Sequence, residues 1–452
     1  MIDYYRQKRG YGSAEEMAQS YLKEYFENGE VVFPINPFRM LLDAGIIFSF
    51  RNFKKVEGIY IPAGDESDVP IVGININRPI TRQRFTAAHE LCHHVKDADK
   101  QSICVTGSND EVERFAEDFA AALLMPLDEL RRQVDVRRKN GYVSFEAVLE
   151  IADYFGVSFL SCLFRIAYKL GAIDGDTDSK QLKKRAKKFE PEKKREALGL
   201  THLKLYEDLI DSYGEALSFK PSLFALNVFQ SNYIYNDSRL EGLDVEPVQV
   251  AEIVADLRLN KQYSEYCKEE NEAYLSIAGH SLMYQEIFNN PLKETSSAFD
   301  TVGLNRKLFS YFPNPEFGGN FRQSNTLVIG AKFDTVDYSQ IINHMVEVDK
   351  EIKEIFSKKN SMPLSKHLES LFKIHHDLTV IHPFIDGNGR TLRVFLNIQL
   401  MMSGVSPVYV KVEEKKEYLK ALETADVKGN CDALFEFMFK ILLRTNMELT
   451  RE

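Results

Sequence analysis

Apolar residues recur along this chain with two different periods. Between Ile46 and Ile76 the period is short. Ile46-Ile-Phe-Ser-Phe50 and Gly58-Ile-Tyr-Ile61 read as brief strands, and Val72, Ile74 and Ile76 alternate with Gly73, Asn75 and Asn77, as in a half-buried strand. From Thr81 to Lys96 the period lengthens, and Phe85, Ala88, Leu91, Cys92 and Val95 form one stripe of a helix. Further helices are expected over 15–28, stopped by Gly29, over 111–124, ended by Met125-Pro126, and over 145–155. Beyond residue 200 helical spacing dominates, for example over 248–257, 338–357, 365–381 and 391–402. The pattern predicts an α+β chain that is mainly α, with a small sheet in the first part.

With 452 residues the chain is too long for one ordinary core. Its sharpest composition shift runs from Asp174-Gly-Asp-Thr-Asp-Ser179 into the basic run Lys180 to Arg195. So little apolar surface reads as a solvated linker or exposed helix face rather than a binding patch. The expected organisation is a first domain over 1–173, a charged linker over 174–198 and a second domain over 199–452. Lys and Arg number 57 against 67 Asp and Glu, a net charge of −10, which argues against binding to bulk nucleic acid. The five scattered cysteines contain no C-x-x-C pair and do not suggest a disulfide framework. The opening residues lack a secretory apolar stretch, and no apolar run approaches the ~18 residues of a membrane span. A cytoplasmic protein without a membrane partner is expected.

The first chemical signal is His89-Glu90-Leu91-Cys92-His93. Two histidines four apart on a helix share a face and suit one zinc ion, and Glu90 is placed to exchange protons beside it. A third ligand is needed, and Glu113-Arg-Phe-Ala-Glu117 offers two acids one turn apart. Glu113 as ligand with Glu117 orienting a ligand histidine is the first assignment, and Glu117 as ligand is the alternative. His94 reads as an ordinary solvent-facing or hydrogen-bonded histidine, and Cys92 as a core residue. The segments Arg84-Phe-Thr-Ala-Ala-His-Glu-Leu-Cys-His-His94 and Glu113 to Pro126 resemble the ImmA/IrrE family of zinc metallopeptidases. That resemblance covers about residues 30–170. It implies a zincin-like domain and a regulatory peptidase acting on a repressor-type protein.

The second signal is His382-Pro-Phe-Ile-Asp-Gly-Asn-Gly-Arg-Thr-Leu-Arg393. An apolar helix ends before Pro383, a glycine-bearing loop follows, and a second apolar helix begins. Gly387 and Gly389 let backbone N–H groups approach an anion at a helix N-terminus. Asp386 is a hard oxygen ligand suited to Mg²⁺, Arg390 and Arg393 can neutralise phosphoryl groups, and His382 can deprotonate an attacking hydroxyl. The pattern matches the signature of the Fic family, H-x-F-x-[DE]-G-N-G-R-x-x-R, and the resemblance covers about 200–445. It implies a helical fold with a short β-hairpin flap that moves AMP from ATP and Mg²⁺ onto a Thr, Ser or Tyr hydroxyl of a target protein. His382 would be the base, Asp386 the magnesium ligand, and Phe384, Gly387, Asn388, Gly389, Arg390 and Arg393 would meet the nucleotide. His375 and His376 read as structural.

Upstream, Asp237-Ser-Arg-Leu-Glu241-Gly242 resembles the family's inhibitory motif, [ST]-x-x-x-E-[GN], with Asp237 where Ser or Thr is usual. Glu241 would then pair with Arg393 and deny it to the γ-phosphate. Residues 319–333 resemble the flap that holds a target segment. The leading expectation is an autoinhibited transferase joined to a zinc peptidase-like domain. Two rivals are a peptidase controlled by a nucleotide-sensing second half, and a partner-recruiting module with a silent peptidase site.

Overall fold

The short-period segments form strands β1 (Ile47–Arg51), β2 (Val56–Ile61), β3 (Ile71–Asn75) and β4 (Ser102–Val105) in a computed structural model. It describes residues 12–27, 29–64, 68–96, 102–105, 111–217, 223–260, 270–289, 296–328 and 334–450. Their order is β1-β3-β2-β4, with β1 parallel to β3 and the other pairings antiparallel. β3 therefore lies inside the sheet, and Val72, Gly73, Ile74 and Asn75 are all buried. The strand expected to be half-buried is covered on both faces. Asn75 can be buried because its Nδ2 donates to the carbonyls of Phe53 at 3.0 Å and Val56 at 2.7 Å.

The sheet belongs to the first of two compact units, Met1–Ser212 and Tyr213–Glu452. The helices of that unit include α1 (Ala14–Tyr25), α2 (Pro37–Asp43), α3 (Ile80–Lys96), α4 (Glu111–Leu124), α5 (Leu127–Arg137), α6 (Phe145–Phe155) and α7 (Phe159–Arg165). α3 packs on β2 and β3, with α2 and α4 alongside. Covered from several directions, it buries polar His89, Glu90 and His93 together with Ala88, Leu91 and Cys92. Polar groups inside a unit need partners, so this helix points to chemistry.

The basic run expected to be a linker over 174–198 is folded instead. It forms α8 (Ser179–Phe189) and α9 (Pro191–Ala197). Leu182 and Ala186 are buried one turn apart, and Phe189 stacks on Phe159 with ring centres 5.3 Å apart. Arg195 donates to Asp153 at 2.5 Å. A narrow apolar edge faces inward while Lys180, Lys183, Lys184, Lys187 and Lys188 stay exposed, which is how so charged a run packs. The division between units comes later, after Ser212 near the end of α10 (Leu203–Tyr213).

The second unit is helical: α11 (Leu223–Leu240), α12 (Pro247–Asn260), α13 (Glu272–Tyr284), α14 (Glu286–Asn289), α15 (Asp300–Leu308), α16 (Ile341–Ser357), α17 (Leu364–Ile381), α18 (Asn388–Met402), α19 (Lys415–Lys428) and α20 (Asp432–Leu449). α17 and α18 pack together, and their side chains join a core with Phe229, Ile253, Ile277, Leu378 and Phe395. The mainly helical α+β class follows. The expected β-hairpin flap is not a strand ladder among the described residues. Phe321 makes a single antiparallel bridge to Phe384, and residues 329–333 lie outside the described residues. Side chains tie the base of this stretch instead: Asn325 Nδ2 donates to Asp337 Oδ2 at 2.8 Å, and Tyr338 N–H donates to Asn325 Oδ1 at 2.9 Å. No single helix among the described residues is long and apolar enough to cross a membrane.

Candidate metal and nucleotide sites

The helical pitch of α3 brings His89 and His93 edge to face, with ring centres 4.9 Å apart and Nε2 atoms 3.1 Å apart. From α4, Glu113 places Oε2 3.2 Å from His89 Nε2 and Oε1 3.4 Å from His93 Nε2. Donors on one tetrahedral zinc, at roughly 2.0–2.2 Å from the ion, stand about 3.3–3.6 Å from one another. Two imidazoles and a carboxylate at this spacing fit that ion. Glu117 is not in the cluster, and no hydrogen bond joins it to either histidine among the described residues. The orienting role expected for Glu117 is therefore not seen, and His89 Nδ1 is buried without a hydrogen-bond partner among the described residues.

Glu90 is fully buried beside this cluster. β2 passes close over it at Gly58, where an added Cβ would collide with the Glu90 carboxylate and with Thr86. Gly58 is a positioning residue that sequence reasoning treated only as strand; glycine inside a strand was the available signal. His94 is buried and lies 2.9 Å from the Tyr60 hydroxyl, the hydrogen-bonded alternative of its two readings. Cys92 is buried, as its place on the apolar stripe implied.

In the second unit the loop between α17 and α18 is held at both ends. His382 follows α17 with φ 48° and ψ 61°, a left-handed conformation that costs a non-glycine residue about 1–2 kcal/mol. Arg322 offsets this by donating from Nε to the His382 carbonyl at 2.8 Å, while its N–H donates to the Pro383 carbonyl at 2.9 Å. Burial, and then the Arg322 guanidinium, push the His382 imidazole below the ordinary value of 6.5. A lowered imidazole remains a neutral proton acceptor at pH values where an ordinary histidine is half charged.

Gly387, at φ 77°, caps the start of α18, so the N–H groups of its first turn face outward from the bend. Asn388 grips Phe384 twice, accepting from its N–H at 2.9 Å and donating to its carbonyl at 2.8 Å. Asn305, far off on α15, donates to the Asp386 carbonyl at 3.1 Å and accepts from Gly319 N–H at 2.8 Å. The Asp386 side chain is 60% exposed; its Oδ1 accepts from Gly387 N–H at 2.6 Å and lies 3.8 Å from Arg390 Nη2. Two side chains of the motif are engaged within the protein. The Phe384 ring is buried against Phe321 with ring centres 5.8 Å apart, and the Asn388 amide is occupied by the loop. Both side chains shape the bend; Arg322 and Asn305, which do the same work, were missed.

The guanidinium groups differ in their surroundings. Arg390 is buried and donates to Ser276 Oγ on α13. Arg393 pairs through Nη2 with Glu241 Oε1 and through Nε with Asp237 Oδ1. Because residue 389 is glycine, the Glu241 carboxylate reaches directly over it; a Cβ there would strike that oxygen. Burial pushes Glu241 up, but Arg393 and Arg390 outweigh it and hold the carboxyl below its usual range. Burial wins at the deeper Asp237, whose carboxyl is pushed up to about 6 against the pull of Arg393. His375 and His376 bond Tyr418 and Asp426 at 2.8 Å each.

Known families match a segment of each unit. A family model described as the IrrE N-terminal-like domain matches residues 46–167, and the Fic/DOC family model matches residues 297–400. The protein adenylyltransferase fic-1 of Caenorhabditis elegans is 26% identical over 200 residues, 43% of this chain and 36% of the relative. The protein adenylyltransferase Fic of Nematostella vectensis is 26% identical over 158 residues, 34% of each chain. The chain thus spans about a third of the length of these curated relatives. Among solved structures, Fic-1 from C. elegans gives a TM-score of 0.46 at 15% identity, covering 80% of this chain and 96% of that one. A Fic-domain signaling protein from Bacteroides thetaiotaomicron gives 0.43 at 19%, covering 53% and 95%. The chain therefore joins an IrrE N-terminal-like domain over residues 46–167 to a Fic/DOC family domain over residues 297–400.

Proposed function

We propose that the second unit is an autoinhibited protein adenylyltransferase and that the first is a zinc-dependent regulatory metallopeptidase-like module. The observation that carries the transferase is the convergence of His382, Asp386, Arg390 and Arg393 on one glycine bend at a helix N-terminus. ATP would lie with its phosphates on the N–H groups of Asn388 and Gly389 and its charge met by Arg390 and Arg393. Magnesium held by Asp386 would neutralise phosphate oxygens. A Ser, Thr or Tyr hydroxyl of the target attacks the α-phosphorus, giving its proton to His382. The bond from that phosphorus to the bridging oxygen breaks, and pyrophosphate leaves with the bonding pair. AMP remains on the target through a phosphodiester. Names borne by the curated relatives support this chemistry.

For the first unit, His89, His93 and Glu113 would hold zinc, and Glu90 would take a proton from attacking water. Zinc bound there supplies a Lewis acid that polarises a peptide carbonyl. A repressor-type protein is its expected substrate, and the acidic chain is expected to act in a cytoplasmic setting.

The transferase is tested with ATP labelled at either end. Label at the α-phosphate is expected on protein and label at the γ-phosphate is not; the opposite result makes the unit a kinase. The pH dependence follows from His382. Its neutral form is the active one and its pKa is lowered, so the acid limb of transfer is expected below pH 6.5. A limb centred above that value contradicts the role of His382.

A further inference from the structure

The two carboxylates on Arg393 come from one helical turn but from different environments. The Glu241 side chain keeps 27% of its surface exposed, and it lies at Nη2, on the side of the glycine bend. The Asp237 side chain keeps 3% and lies at Nε, the inner edge of the guanidinium. A nucleotide approaching the bend can therefore displace the first but has no route to the second. Behind Asp237 stands His280, fully buried, with Nε2 3.3 Å from Asp237 Oδ2. Burial, then Arg390 and Arg393, push His280 well below its ordinary value, so it stays neutral and adds no charge to compete for the carboxylate. Arg390, Arg393, Asp237 and Glu241 form a cluster of two cations and two anions, with Glu241 on its open side.

We propose that Asp237 is the positioning residue of Arg393. It grips the Nε edge whether or not Glu241 is in place, so that removing Glu241 leaves the two Nη groups aimed at the γ-phosphate rather than free to swing away. This rests on the transferase reading and adds to it that the carboxylate pair at the C-terminal end of α11 divides its work. Glu241 is the exchangeable partner and Asp237 the permanent one. The serine or threonine usual at this position carries no charge and cannot make the same ion pair. A planar guanidinium held on one edge presents the other as a fixed fork, the geometry that favours phosphate.

The test uses the full chain in the Glu241→Gly background, measuring ATP and ADP affinities and the KM for ATP in AMP transfer. Adding Asp237→Asn is expected to weaken ATP binding and raise that KM at least about tenfold, since a hydrogen bond to a charged group is worth about 1.5–3 kcal/mol. ADP, which lacks the γ-phosphate, is expected to bind unchanged, and its retained affinity also reports that the unit is folded. Asp237→Ser, which leaves room for water beside the guanidinium, is expected to behave alike and serves if the asparagine variant does not fold. Unchanged ATP affinity in either folded double variant overturns the positioning role. So does Asp237→Asn alone raising transfer as far as Glu241→Gly does, because Asp237 would then be a second lock. If Glu241→Gly itself neither binds ATP nor transfers AMP, the transferase reading fails first.

Discussion

Glu241→Gly is expected to raise AMP transfer by about ten- to a hundredfold, and His382→Ala to lower it by roughly 10²- to 10⁴-fold. The first figure follows from what the nucleotide must displace. Arg393 lies in a pocket that excludes most solvent, its side chain 12% exposed, and Glu241 closes the side facing the glycine bend. A charged hydrogen bond in such a place is worth about 1.5–3 kcal/mol, and each 1.4 kcal/mol is tenfold. Glycine removes the competitor without filling the space over Gly389, so the phosphate chain gains both room and a free guanidinium edge. Label from α-labelled ATP, counted on the chain itself and on added protein, is the measurement. Transfer that is unchanged by Glu241→Gly but lost in Arg393→Ala would mean that Arg393 serves the nucleotide without being restrained by Glu241. The second figure follows from the loss of the proton acceptor. A His382→Ala chain that still transfers AMP at the rate of its parent would place the base elsewhere.

What the sequence disclosed and what it withheld divide along the range of the contacts involved. Spacing within one helix was enough to pair His89 with His93, because four residues make one turn whatever surrounds them. The glycine bend and its arginines were equally local. The choice between Glu113 and Glu117 needed the rotation of α4 against α3, which periodicity does not define. The ties that hold the bend were out of reach for the same reason: Arg322 meets the His382 carbonyl from 60 residues away, and Asn305 meets the Asp386 carbonyl from 81. The run from Lys180 to Arg195 misled because charge counts describe a surface, whereas Leu182, Ala186 and Phe189 suffice to seat a helix. Phe384 was read, with five other residues of its motif, as meeting the nucleotide. Its ring is buried against Phe321, a distant contact that the motif's spacing does not define.

The first unit is expected to hold about one zinc ion per chain, lost on changing His89 or His93 to alanine. Three donors already stand within 4.8 Å of one another, and the histidines are buried. Little reorganisation is needed for binding, and without the ion two imidazoles and a carboxylate face each other at 3.1–3.4 Å. Removing one ligand must cost at least the ~10–100-fold in affinity that loss of an outer partner costs a metal site. Glu113→Gln is expected to weaken the metal by a similar factor, whereas Glu117→Gln is expected to leave it in place. Glu90→Gln separates binding from chemistry: zinc content stays, and any peptide cleavage goes. Metal analysis of the purified full-length variants reads the content. Thermal unfolding with and without a chelator supplies a second readout, because an ion present at 100 times its Kd adds about 2.7 kcal/mol to the folded state. A His89→Ala chain that retains its zinc and its chelator sensitivity would mean that the ion sits on other ligands, and Glu90 would lose its reason to be buried where it is.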